Sequence, residues 1–155
     1  SKESANNDND LKKIYEWHDK LPYEYVVIIS GCSPMLEVDT IDRFVTEFIT
    51  QEEENLFGVV KRKQYYWNKK GALITPWTEG QTIMNTKAVE PTLEAGHVLY
   101  ASRMDLIGHN KFMGNFEKEG GIKLFEINEL EAFDIDYQWQ FDAAEHLYEK
   151  GLYNS

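Results

Sequence analysis

Tyr25-Val-Val-Ile-Ile29, closed by Ser30 and Gly31, is the stretch that decides the fold. A continuous β-branched run without polar alternation is what a strand covered on both faces of a parallel sheet demands. Ser33 and Pro34 then make a loop, and Asp39 or Thr40 stands where a helix would be capped. Ile41, Phe44, Val45, Phe48 and Ile49 follow at i, i+3, i+4, i+7 and i+8, a single apolar stripe. Phe57-Gly-Val-Val60 supplies the next strand. Strand, helix and strand in that order make a βαβ unit, which is normally right-handed and parallel. The expectation is an α/β domain.

Outward from this unit the chain changes character. Upstream, Leu11, Ile14, Tyr15 and His18 keep helical spacing and Pro22 follows the helix end, while residues 1–8 are polar and read as unstructured or linking. Downstream, Tyr65-Tyr-Trp67, Asn68-Lys-Lys-Gly71 and Ala72-Leu-Ile74 read as a hairpin with glycine closing its turn. Its three aromatics pack either on their own domain or against a second subunit. Residues 75–96 read as irregular, Val98–Ala101 as a short strand, and the four-glycine stretch Gly108–Gly121 as a loop anchored by Phe112, Met113 and Phe116. Lys123–Ile127 is a further strand, and a last helix spans roughly Tyr137–Lys150 with Gly151 as its C′ residue.

The totals bound the function. The 155 residues suit one domain, and 16 Lys plus Arg against 27 Asp plus Glu give a net charge of −11. That balance argues against nucleic-acid binding, which needs a basic footprint. No apolar run reaches the length of a membrane span. A single cysteine, Cys32, excludes an internal disulfide and fits the cytoplasm.

Asp134 and Asp136 flank Ile135 just before the last helix. In an extended segment such residues point the same way and can share one cation; two hard carboxylates suit Mg²⁺, with Mn²⁺ the alternative. The competing reading has Asp136 capping the helix and Asp134 simply solvated. Cys32 reads as a small buried loop thiol, since no histidine lies at a recognised spacing from it. His18, His97, His109 and His146 are scattered, which disfavours zinc, and His97 reads as structural. Lys61, Arg62, Lys63, Lys87 and Arg103 are the cations available to hold an anionic substrate.

Taken in order, Tyr25–Pro34, the Thr40-Ile-Asp-Arg-Phe44 helix start, Phe57–Val60, Tyr66–Gly71, Asn85–Pro91, Gly96–Tyr100 and Phe133-Asp-Ile-Asp136 resemble the acylneuraminate cytidylyltransferases, which make CMP-activated acidic sugars. The resemblance implies a three-layer Rossmann-like nucleotidyltransferase fold, with Tyr25–Ile29 as a central strand, a mostly parallel sheet and a protruding hairpin at residues 64–75 that forms a homodimer. It implies Asp134 and Asp136 as metal ligands, with no catalytic residues beyond them, and Ser33, Lys87 and Tyr100 at the substrate. CTP and an acidic sugar would be the partners, with pyrophosphate released. The chain departs from the pattern at Ser30, where many members have glutamine, at Met35–Leu36 after Ser-Pro, and at Gly96. A related acidic sugar is therefore at least as good an acceptor as sialic acid. The Gly- and Arg/Lys-rich opening loop that cradles a triphosphate has no counterpart here. The expectation is a fragment, a truncated gene product or half of a split enzyme, inactive alone. The alternatives are a non-catalytic remnant or dimerisation module, and a glycosyltransferase with an Asp-x-Asp metal site.

Overall fold

The structure is a computed structural model that describes residues 10–52 and 54–152. The first eight residues, read above as linking, lie outside it. Along the chain come α1 (Leu11–Ile14), β1 (Tyr25–Ile29), α2 (Val38–Thr50), β2 (Asn55–Arg62), a 3₁₀ turn (Thr86–Ala88), β3 (Thr92–Arg103), α3 (Met104–Gly108), β4 (Leu124–Ile127) and α4 (Gln138–Glu149). The strands form one sheet in the order β1-β3-β2-β4.

Three strands, β1, β2 and β4, run one way and β3 runs against them. The sheet is mixed, and β1 and β2 are parallel without being neighbours. β3 lies between them, pairing Val27 with Ala101 on one side and Leu56 with Ala101 on the other. Among the described residues β1 is thus an edge strand, where the resemblance implied a central one. Its outer residues tell the same story, with Tyr25 and Ile29 both exposed.

α2 supplies the core of one face. Phe44 and Phe48 pack on Leu56, Val60, Leu99, Ala101, Phe125 and Ile127. Phe44 is fully buried and meets the Phe125 ring edge-on at 5.3 Å. Burying a ring of that size contributes about 1.5–3 kcal/mol. Neither Asp39 nor Thr40 caps the helix: the N-cap is Glu37, whose side chain makes no capping bond, and Asp39 sits in the first turn, where the helix dipole favours a carboxylate. On the opposite face Phe57 and Val59 are buried, and the Tyr100 ring packs on Phe57 at 5.2 Å.

Other boundaries moved for local reasons. The helix expected over residues 11–18 is a single turn, capped by Asp10 through Lys12 N–H, because Tyr15 already leaves helical geometry. β3 is far longer than Val98–Ala101, and a bulge breaks its register with β2 between Phe57 and Val59. Gly96 sits in this bulge against Gly58; a Cβ there would lie 2.9 Å from the Gly58 carbonyl oxygen. The hairpin is reduced to one bridge, Trp67 to Leu73, about a turn where Asn68 Oδ1 accepts from Lys70 and Ala72 and Gly71 takes a positive φ. Of the proposed anchors of the 108–121 loop, Phe112 is buried and Phe116 is exposed. That loop closes on Asn55, whose side chain receives Lys123 N–H at 2.9 Å. No helix among the described residues is long and apolar enough to cross a membrane.

Candidate functional site at the carboxyl edge of the sheet

The segments after β1, β2 and β4 all leave from the carboxyl ends of the three co-directional strands. Open α/β sheets bind ligands at that edge. Two of these segments are fastened together. Ile135 N–H donates to the Cys32 carbonyl at 3.0 Å, which docks the Asp134–Asp136 stretch on the loop after β1. Glu131, buried at 6% exposure, accepts from Glu37 N–H at 3.3 Å and from Asn128 N–H at 3.2 Å. One carboxylate therefore ties the loop after β4 to the start of α2. A buried carboxylate that receives two backbone donors holds its loop more firmly than neutral bonds would.

Asp134 is half-buried and Asp136 exposed, and Ile135 between them lines an apolar cavity with Met35, Phe141, Ala144 and Tyr148. The helix-cap alternative for Asp136 is not realised. The N-cap of α4 is Tyr137, and the Gln140 side-chain oxygen takes both Asp136 N–H (2.8 Å) and Tyr137 N–H (2.7 Å). Among the described residues no cation pairs with either carboxylate. Two hard oxygen donors without a competing cation fit a Mg²⁺ ion, which keeps several waters. No cluster of three or more His, Cys, Asp or Glu side chains stands in a metal-binding arrangement among the described residues. The remaining coordination would have to come from water and substrate.

Tyr100 lies mid-strand in β3, level with Ile28 and Phe57. Its phenol is pushed above the ordinary tyrosine range, first by burial, then by Tyr15 and by the negative charge of Asp134. Asp134 and Tyr100 thus share one electrostatic environment. Ser33 is buried at 6% exposure and its hydroxyl has no hydrogen-bond partner. A buried hydroxyl left unpaired costs about 1–3 kcal/mol, a deficit that an ordered water or a bound group would relieve.

Lys87 stands apart from these. It lies exposed in the 3₁₀ turn, its N–H bound to Asn85 Oδ1, in a segment fastened to Tyr65 of the projecting arm. No described contact joins it to Asp134, Ser33 or Tyr100. Cys32 is exposed, not the buried thiol expected from sequence. Arg62 is engaged by Glu94 and Glu129, which raise its pKa, and Lys61 by Glu126; Arg103 is engaged by Asp105. These three cations are occupied by the chain's own carboxylates. His97, read as structural, occupies a left-handed backbone conformation (φ 55°) in the β3 bulge, with Nδ1 3.3 Å from the Tyr100 hydroxyl. Only its position between Gly96 and Val98 hinted at this, since a register break leaves no periodic signature.

No protein-family model matches the chain, and no curated protein matches it. Among solved structures the chain is similar to 4-diphosphocytidyl-2C-methyl-D-erythritol synthase from Anaerococcus prevotii, at a TM-score of 0.61 and 13% identity. The match takes in 90% of this chain and spans 66% of that enzyme. The likeness is one of fold: a mixed α/β sheet arranged as in that enzyme.

Proposed function

We propose that this chain forms the metal- and sugar-binding side of a cytidylyltransferase that joins CMP from CTP to an acidic sugar. The observation that carries the reading is the Ile135 N–H to Cys32 carbonyl bond, which fastens the Asp-Ile-Asp stretch to the carboxyl edge of β1. The cytidylyltransferase-like fold and the ordered resemblance to acylneuraminate cytidylyltransferases add support. Asp134 and Asp136 would hold Mg²⁺ or Mn²⁺, whose chemistry when bound is to stabilise charge on the reacting phosphate. Tyr100 lines the place where the sugar hydroxyl would approach. Ser33 would offer its buried, unpaired hydroxyl to the substrate, and Lys87 would meet the sugar carboxylate only if its segment folded inward. The match spans 66% of the similar enzyme's length, and none of the residues named above is assigned to CTP.

Two measurements test this. On the 155-residue chain, Mn²⁺ should broaden the NMR signals around Asp134 and Asp136, and Asp134→Asn should abolish that broadening. In the protein with any coding sequence that continues in frame upstream of Ser1, Asp134→Asn should lower CTP-dependent pyrophosphate release well over tenfold. That loss is roughly 1.4 kcal/mol or more of transition-state stabilisation. Near-normal turnover in the variant sinks the metal assignment. The second reading is a non-catalytic module that pairs through its aromatic arm, and the exposure of Trp67, Ile74 and Trp77 favours it. A dimer that releases no pyrophosphate in any context would be its signature.

A further inference from the structure

We propose that His97 is a positioning residue that fixes the hydroxyl of Tyr100 so that the phenol oxygen accepts a hydroxyl from a polyhydroxylated ligand beside the carboxyl end of β1. The inference rests on the reading above for the place of the ligand, and adds the residue that orients it and the chemistry that selects it. Three observations converge. First, His97 holds a positive φ, a backbone conformation that non-glycine residues adopt at a cost of order 1–3 kcal/mol and that clusters at ligand sites. Second, the bulge of β3 provides that turn only because Gly96 allows the backbone to lie on Gly58. Third, the turn delivers the imidazole Nδ1 to 3.3 Å from the Tyr100 hydroxyl, with Phe57 against both rings.

The proposal sets the direction of the hydrogen bond, with the phenol donating to Nδ1. Burial keeps the phenol protonated well past neutrality, so it can donate. Neutral imidazole has one acceptor nitrogen, and with the proton on Nε2 that acceptor is Nδ1. The phenol proton is then committed to His97, and the lone pairs of the oxygen face outward as acceptors. Acceptors facing outward suit a ligand rich in hydroxyl donors.

The full chain tests it in two arms. Long-range ¹H–¹⁵N spectra should show Nδ1 of His97 as the unprotonated ring nitrogen, and Tyr100→Phe should move the Nδ1 signal. A protonated Nδ1, or a signal that ignores Tyr100→Phe, overturns the inference. In the second arm sialic acid, glucuronic acid and glucose are titrated as probes while the Tyr100 ring signals are followed. Wild type should bind at least one of them with shifts at Tyr100. His97→Gly should weaken that binding at least fivefold, and His97→Asn, which tolerates the same backbone and offers an amide in place of Nδ1, should restore it to within twofold. Tyr100→Phe should match His97→Gly, with the double variant no worse than either. No shift at Tyr100 with any probe overturns the inference, as does His97→Gly binding normally or His97→Asn failing to rescue. None of these outcomes alters the response of Asp134 to Mn²⁺, so failure here and failure of the proposed function are told apart.

Discussion

The face of the sheet under α2 and the arm between β2 and β3 are both rich in large apolar side chains, yet they are held by opposite means. Under α2 the rings of Phe44 and Phe48 interlock with strands from both directions, and Phe44, Leu56, Leu99 and Ala101 are almost wholly buried. In the arm, Trp67, Ile74, Trp77, Ile83 and Met84 remain exposed. There the backbone is fastened by polar side chains instead. Tyr65 bonds Gln81 and Asn85; Thr75 Oγ1 takes Tyr66 N–H at 2.9 Å and donates to the Gln64 carbonyl at 3.1 Å. The difference teaches that apolar content alone says little: one region spends it on its own stability, and the other leaves it on the surface.

The strongest way to break the comparison is to empty the core. Phe44→Ala should destabilise the chain by about 3–5 kcal/mol, since the ring is fully buried and the edge-on contact with Phe125 is lost with it. Chemical denaturation followed by tyrosine and tryptophan fluorescence reads this as a lower midpoint. A change under about 1 kcal/mol would mean the α2 face is not the main core. Next is Gly96→Ala, which places a Cβ 2.9 Å from both the Gly58 carbonyl oxygen and Ile127 Cδ1. Ile127 can shift but the backbone oxygen cannot do so cheaply, so about 1–3 kcal/mol is expected, as for overpacking. The same denaturation series measures it, and an unchanged midpoint would show the bulge to be soft.

Tyr65→Phe should cost less, about 1 kcal/mol or under, because it removes a hydroxyl bonded to Gln81 and Asn85 at the surface and leaves the core untouched. Its effect should be local. Amide exchange should rise around residues 78–88 while β2 and β3 keep their protection. Exchange that rises throughout the sheet would erase the distinction between core and arm.

Legibility from sequence followed the same divide. The βαβ order, the stripe of α2 as far as Phe48 and the extent of β1 were readable, because periodicity reports burial within one element; Ile49, the last of the expected stripe, is exposed. The place of β1 at the edge was not: a run such as Val26-Val-Ile28 is half-buried in the structure, and its pattern cannot say which strand lies beside it. The insertion of β3 between β1 and β2 is a long-range pairing with no local signal, and so is the bulge that carries His97. At the site, Asp134 and Asp136 were visible as a spacing. Their docking on Cys32 and the role of Gln140 in receiving the α4 N–H groups depended on tertiary placement. Ser33 was picked as a substrate residue, and its burial behind a closed loop could not be seen from the residue types around it.

The finest test of the contrast is Trp67→Glu. The side chain is 48% exposed and its ring lies 6.2 Å from that of Tyr65, so the substitution removes little internal packing. Surface replacements of this kind usually stay within about 0.5 kcal/mol, and the denaturation midpoint should hardly move. Association should move instead. If the arm buries its aromatics against a second copy, a carboxylate there is desolvated beside apolar rings without a partner charge. That penalty would fall on the complex alone. Sedimentation velocity across a dilution series should find wild type as a dimer at concentrations where the variant is monomeric. A variant that still dimerises on dilution would place the contact elsewhere. A wild type that is monomeric throughout would return the exposed rings to the surface of a single chain.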